Sequence, residues 1–124
     1  VLKICKIAGV DDFVGTHPKG YDLDVKERGN GLSGGQKQTI NLARSLLHDP
    51  AILLLDEPTS SMDQNTERQV IASLEAFSKD KTMIIVTHRN SILSMVDRVF
   101  VMENGKVVAD QTPESLGIKK VANQ

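Results

Sequence analysis

The chain has 124 residues, of which 40% are hydrophobic and 25% are charged, a composition typical of globular proteins rather than of disordered or fibrous ones. Its 15 Lys and Arg residues and 16 Asp and Glu residues give a formal net charge of −1, so there is no electrostatic case for nucleic acid or an anionic membrane surface as a bulk partner. Cys5 is the only cysteine, which excludes an internal disulfide and a cysteine-based zinc site.

No membrane span or signal peptide is expected in these residues. The longest purely apolar run covers residues 51–55, far short of the ~18 residues that indicate a transmembrane helix. Lys3 and Lys6 interrupt any apolar segment near the first residue. The composition therefore predicts a soluble, reduced, cytosolic chain.

The first third of the chain is predicted to be helical and loop-rich. Leu2, Ile4, Ile7 and Ala8 have the spacing of a short amphipathic helix that Gly9 ends. A second turn is expected over residues 11–14, and residues 15–31, which are rich in glycine and charge, are predicted to form a loop.

A longer helix is predicted to begin at Ser33. Residues 33–36 read S-x-x-Q, the pattern of a capping box, and apolar residues follow at helical spacing. The helix should continue to about Leu47 and stop before Pro50, because the residue before a proline avoids the α region.

The middle of the chain alternates strand and helix. The aliphatic residues 51–55 are too short for a helix and are predicted to form a strand buried on both faces, as in a parallel sheet. Residues 83–86 are predicted to be a second buried strand. Between them, a helix is predicted over residues 65–78, with Val70, Ile71, Leu74 and Phe77 on its apolar face.

A hairpin follows near the end of the chain. A short helix is expected around residues 92–96, and residues 99–102 and 106–109 flank Asn104-Gly105, a strong hairpin signal. The tail is predicted to be helical near residues 113–116 and then frayed. This order predicts an α/β fold with a parallel core, whose ligands bind at the carboxyl ends of the strands.

Asp56 and Glu57 form a carboxylate pair at the end of the first strand. Asp56 could hold a hydrated Mg²⁺ while Glu57 orients or deprotonates a water. The alternative is a helix-initiating Asp-Glu-Pro turn with both acids solvated, and the dipeptide alone favours that alternative.

Glycines follow the predicted cap of the 33–47 helix. Ser33, Gly34, Gly35 and Gln36 leave backbone N–H groups uncovered at a positive helix end, which suits an anionic oxygen. A capping box alone explains Ser33 and Gln36 but not Gly34-Gly35, because each glycine weakens a helix by up to ~1 kcal/mol. An anion site is therefore favoured here.

His88 follows the second predicted strand and should lie at the same sheet edge as Asp56 and Glu57. A lone histidine is more often structural than functional, but this position favours a role in the site. His17, in a loop, and His48, at a helix end, are assigned no role.

Taken together, these segments resemble an ATP-binding cassette (ABC) ATPase. Residues 32–36 (LSGGQ), 52–57, 60–63 (SSMD) and His88 have the order and spacing of that family's signature motif, Walker B segment, D-loop and H-loop. The resemblance covers nearly the whole chain. Residues 17–22, 25–29 and 60–63 are most similar to the ATPases of bacterial type I secretion exporters, although Lys26 stands where those exporters usually have glycine.

A Walker A segment does not occur in the 124 residues. The motif G-x-x-x-x-G-K-[ST] cradles phosphates, but the only Gly-Lys pair, Gly105-Lys106, precedes Val107, with Phe100 in place of the first glycine. The resemblance thus implies the C-terminal portion of a P-loop NTPase-like domain, lacking the Walker A strand. Residues 1–48 would form part of the helical subdomain and residues 49–124 part of the catalytic core.

The resemblance also implies roles for individual residues in a head-to-tail dimer that sandwiches two ATP molecules. Asp56 would organise Mg²⁺, Glu57 would polarise the attacking water, and His88 would contact the γ-phosphate. The γ-phosphate of an ATP held by the partner domain would be contacted by Ser33, Gly34, Gly35 and Gln36, and Asp63 would bridge the protomers. Positioning and charge neutralisation of this kind supply most of the rate in phosphoryl transfer.

The function that the resemblance implies is ATP hydrolysis coupled to export. The partners would be a second nucleotide-binding domain and a transmembrane export domain at the cytoplasmic face of the bacterial inner membrane, without nucleic acid. The fragment itself is expected to be inactive alone. The alternatives are an ABC ATPase of DNA repair or translation, which residues 24–29 argue against, and a non-catalytic interaction module. Glu57 and His88 argue against the latter for the parent protein but not for the isolated fragment.

Overall fold

The computed structural model describes residues 1–118 of the chain. These residues form two compact units, the first spanning residues 1–87 and the second beginning at His88. The predicted α/β class is confirmed, with a parallel sheet, helices and an antiparallel hairpin. The expected division between residues 48 and 49 stays a prediction.

The first unit begins with helices. α1 (Leu2–Ile7) and α2 (Val10–Val14) are separated by Gly9, whose φ of 79° ends the first helix as expected. The predicted 15–31 loop contains two 3₁₀ turns, Gly20–Asp22 and Glu27–Gly29. α3 (Gly34–Leu46) follows, and α1, α2 and α3 pack against one another.

The parallel sheet of this unit has two strands. β1 (Ile52–Asp56) pairs with β2 (Thr82–Val86), Leu54 lying opposite Ile84. α4 (Gln64–Phe77) connects them and contributes Val70, Ile71 and Leu74 to the core, as its pattern predicts. The carboxyl ends of both strands therefore lie at one sheet edge.

The prediction that β1 is buried on both faces is wrong. Leu53 and Leu55 are buried, but Ile52 is 63% and Leu54 72% exposed. β2, predicted to be a buried strand, has every second side chain exposed and the others half-buried, so that prediction is wrong as well. The reason is that an apolar run is compatible with cover on two faces, whereas in β1 only the side chains of Leu53 and Leu55 are covered.

The second unit is built around the predicted hairpin. A 3₁₀ helix (Asn90–Met95) replaces the expected short α-helix and buries Ile92 and Met95. β3 (Val99–Glu103) and β4 (Lys106–Gln111) pair antiparallel. The expected tail helix is a 3₁₀ turn (Glu114–Leu116), and the fraying expected after it lies outside the described residues.

Candidate functional site

The amino end of α3 has the capping geometry that the sequence predicts. Ser33 is its N-cap, and its Oγ accepts a hydrogen bond from the N–H of Gln36 at 3.2 Å. In return, the Gln36 side-chain oxygen accepts from the N–H of Ser33 at 2.9 Å. This reciprocal box fixes the start of the helix and uses two of its free amides.

The two glycines after Ser33 have different surroundings. A Cβ added to Gly35 would lie 2.8 Å from the carbonyl oxygen of Ser61, closer than side chains tolerate, whereas a Cβ on Gly34 would lie at ordinary distance, 3.6 Å from Ser61 Cβ. Gly35 thus has a packing reason that the sequence does not reveal: it lets α3 approach the segment after β1. The predicted contact of both glycines with an anion stays a prediction.

The carboxyl end of β1 presents the predicted pair of carboxylates in different settings. Asp56 is the last strand residue and is exposed. Glu57 is half-buried with φ of 44°, a left-handed conformation that costs a non-glycine residue about 1–3 kcal/mol. Its N–H donates to Val86 O at 2.8 Å, and its Oε2 accepts from Thr87 Oγ1 at 3.1 Å. Contacts at both backbone and carboxylate therefore hold Glu57.

Gln38 is a residue of this site that the sequence analysis missed. Its side-chain Nε2 donates to Glu57 O at 2.8 Å and to Ser60 Oγ at 3.1 Å, and its Oε1 accepts from Ser61 N at 2.9 Å. A signal did exist, because Gln38 shares one helix face with Leu42 and Leu46, both buried. A polar residue on a core-facing stripe needs polar partners.

Asp63 is the N-cap of α4. Its Oδ1 accepts from the N–H groups of Asn65 and Thr66, at 2.9 and 3.1 Å, and its Oδ2 accepts from Thr66 Oγ1 at 2.7 Å. The hydrogen bonds from Thr66, followed by that from Asn65, hold the pKa of the carboxyl below its ordinary value. Asp63 therefore has a structural role, and its expected part in bridging two protomers stays a prediction.

A groove of about 410 Å³ joins the start of α3 to the start of α4. Predicted site residues Ser33, Gly35, Gln36 and Asp63 line it, together with other side chains of the same unit. Asp56 and Glu57 are not among its lining residues, but Gln38 links the Glu57 turn to α3. The structure thus brings the predicted signature and D-loop residues to one surface.

His88 begins the second unit, directly after Thr87, whose hydroxyl donates to Glu57. The imidazole is exposed. Its predicted role with the γ-phosphate stays a prediction.

The carboxylates at the end of β1 are of the kind that bind Mg²⁺ together with water and nucleotide phosphates. Within residues 1–118 no three His, Cys, Asp or Glu side chains cluster in a way that could hold a metal by themselves. Mg²⁺ usually takes only one or two protein carboxylates and completes its shell with water and nucleotide phosphates. Asp56, an exposed carboxylate at a strand end, has the chemistry of such a ligand, and its predicted role with Mg²⁺ stays a prediction.

Comparisons with known proteins agree with these motifs. Residues 11–60 match the family model described as ABC transporter. Two proteins of Staphylococcus aureus, from strain bovine RF122 / ET3-1 and strain NCTC 8325 / PS 47, carry the name multidrug export ATP-binding/permease protein. Each is 43% identical to this chain over 98% of its length. The chain is homologous to the ATP-binding domain of ABC transporters.

A solved structure shows the same relation. A bacterial Atm1-family ABC exporter with ATP bound aligns with 93% of this chain at a TM-score of 0.81 and 35% identity. The chain spans about a fifth of that exporter and of the S. aureus relatives, 21% in each case. No helix among residues 1–118 is long and apolar enough to cross a membrane.

Proposed function

We propose that residues 1–124 are the C-terminal portion of an ABC ATPase domain, and that the complete gene product couples ATP binding and hydrolysis to export. In this proposal residues 1–48 belong to the helical subdomain with the signature motif, and residues 49–124 belong to the catalytic core. One observation carries the proposal: Glu57 is held in a fixed turn and joined through Gln38 to the signature helix, in a chain homologous to exporter ATP-binding domains.

The chemistry follows from the residues at the ends of β1 and β2. Asp56 would ligate Mg²⁺, which supplies charge neutralisation to the phosphates when it is bound. Glu57 would accept a hydrogen bond from the attacking water and take its proton. His88 would donate to a γ-phosphate oxygen. Thr87, by donating to Glu57 Oε2, would orient that carboxylate.

The groove between α3 and α4 supports a dimeric ATP site. Ser33, Gly34, Gly35 and Gln36 would contact the γ-phosphate of an ATP bound by a second nucleotide-binding domain, arranged head to tail. Asp63 lies on the same groove and would face the second protomer. The other partner would be a transmembrane export domain, placing this chain at the cytoplasmic face of the bacterial inner membrane, with no nucleic acid involved.

Two substrate classes are proposed for export. Type I secretion of a protein or toxin is supported by the resemblance of residues 17–22 and 25–29 to that branch. Multidrug export is the second candidate, because the S. aureus relatives at 43% identity carry that name. The two classes differ in whether the cargo is a polypeptide or a small amphipathic molecule.

A transport assay distinguishes them. Inside-out vesicles containing the complete gene product would receive Mg·ATP together with either a fluorescent drug or a labelled polypeptide library. Accumulation of polypeptide without drug would support type I secretion, and accumulation of drug would support multidrug export. Vesicles that hydrolyse no ATP and accumulate neither cargo would contradict a transport-coupled ATPase and favour a non-catalytic fragment.

A further inference from the structure

The Gln38 side-chain amide connects α3 with the turn that follows β1. Its Nε2 reaches Glu57 O at 2.8 Å and Ser60 Oγ at 3.1 Å, and its Oε1 receives the N–H of Ser61 at 2.9 Å. Gln38 thus contacts both ends of the segment 57–61. The same turn contains its own bond, Ser60 N to Glu57 O at 3.2 Å, so Gln38 fixes where the turn lies rather than whether it forms.

The chemistry of the amide matches these partners. A glutamine side chain offers two N–H donors and one oxygen acceptor, and here both nitrogen bonds go to oxygens while the oxygen meets an N–H. Glutamate could keep the bond from Ser61 and accept one from the Ser60 hydroxyl, but it has no N–H for the Glu57 carbonyl, and methionine, of similar length, could keep none of the three. This donor and acceptor pattern at this length is therefore specific to glutamine.

The position of Glu57 depends on contacts from two directions. β2 holds its N–H through Val86 O, and Thr87 holds its carboxylate. α3 holds its carbonyl through Gln38. Glu57 has φ of 44°, which lies in the small left-handed region of allowed backbone angles. Only a narrow range of backbone conformations therefore keeps its carboxylate in place. Loss of the α3 contact would let the turn shift relative to the signature helix.

We propose that Gln38 is a positioning residue, which fixes the position of Glu57 relative to the amino end of α3. Activation of water by Glu57 would then depend on where that helix lies. The proposal rests on the proposed ATPase function. Gln38 reaches the chemistry only through Glu57, Ser60 and Ser61, so its loss should lower turnover and leave nucleotide affinity nearly unchanged.

The test uses Q38M and Q38E in the complete gene product, reconstituted in lipid, with N41L as the matched control. Asn41 is an exposed amide on the same helix. We expect kcat to fall about tenfold or more in Q38M and Q38E, with KM for ATP within about twofold and N41L unchanged. Q38E preserves side-chain size and the bond from Ser61 but loses the bond to the Glu57 carbonyl, so it decides the result if Q38M folds poorly.

A second measurement separates positioning from a merely structural role. In an E57Q background, Q38M should cause no further loss in the single-turnover rate, because its effect passes through the Glu57 carboxylate. An equal loss in both backgrounds, or a kcat within about twofold of wild type for Q38M and Q38E, would overturn the proposal. If E57Q itself turns over like the wild type, the proposed function fails instead, so the two failures are distinguishable.

Discussion

At the scale of single residues, Gly35 shows how the backbone of α3 comes close to the segment after β1. A methyl group there would meet Ser61 O at 2.8 Å, while one at Gly34 would find an ordinary contact. Replacing either glycine with alanine should raise the helix propensity by a similar amount. Only at Gly35 would the added methyl group clash, so the two positions form a matched pair.

We expect G35A to lower the free energy of unfolding by about 1–2 kcal/mol, since overpacking outweighs the propensity gain of up to about 1 kcal/mol. G34A should leave the free energy unchanged or slightly raise it. Urea unfolding at 25 °C measures both. A G35A protein as stable as G34A would contradict the close approach to Ser61.

Gln38 and Gly35 also show what the sequence could not predict at this scale. The capping box of Ser33 and Gln36 was predicted, because its partners lie three residues apart. The partners of Gln38 and Gly35 lie 19 to 26 residues away, on a segment whose position is set by tertiary packing. The carboxylates of Asp56 and Glu57 were located by strand order, but not the left-handed backbone of Glu57.

At the scale of elements, α4 depends on its cap. Asp63 accepts three hydrogen bonds at the positive end of the helix, and these hold its pKa below the ordinary value of 3.8. A carboxyl group with a lowered folded-state pKa stabilises the fold above its unfolded pKa. That contribution is lost as the pH falls through the folded-state value.

D63A should therefore lower the melting temperature at pH 7, and its difference from the wild type should shrink only as the pH falls below the ordinary pKa of 3.8. D63N is the control, because asparagine caps helices well but does not titrate. Its melting temperature should stay above that of D63A at every pH. Thermal unfolding followed by circular dichroism checks this. A D63A deficit that grows with acidity would contradict the assigned cap.

Local signals predicted elements better than they predicted burial. Asn104 and Gly105 have φ of 48° and 74°, the left-handed pair that a tight hairpin turn requires, and the hairpin was predicted from them. The parallel pairing of β1 with β2 followed from the alternation of strand and helix. The expected burial of Ile52 and Leu54 was wrong, because an apolar run does not reveal which of its faces is covered.

At the scale of the whole molecule, residues 1–124 carry only part of the chemistry that ATP binding requires. The sequence contains no G-x-x-x-x-G-K-[ST] segment, and two carboxylates repel a polyphosphate unless Mg²⁺ intervenes. The end of α3 contributes ~1 kcal/mol towards an anion, whereas micromolar affinity needs about 8 kcal/mol.

We therefore predict that residues 1–124 alone neither bind nor hydrolyse ATP appreciably. Calorimetric titration with Mg·ATP should show no saturation in the micromolar range. The same titration of the complete gene product is the positive control. Saturable micromolar binding at one site per chain would reveal an anion site that the motifs do not account for.

In the proposed function, Glu57 activates the water that hydrolyses ATP in the complete gene product. Glutamine at this position keeps the shape of the side chain and removes the charge that accepts the proton. E75Q, a substitution of a half-buried glutamate on α4, is the matched control.

The most direct measurement is steady-state ATP turnover together with ATP binding for the wild type, E57Q and E75Q. We expect E57Q to bind ATP with wild-type affinity while its turnover falls at least about 100-fold, and E75Q to match the wild type in both. Wild-type turnover by E57Q would contradict the proposed function.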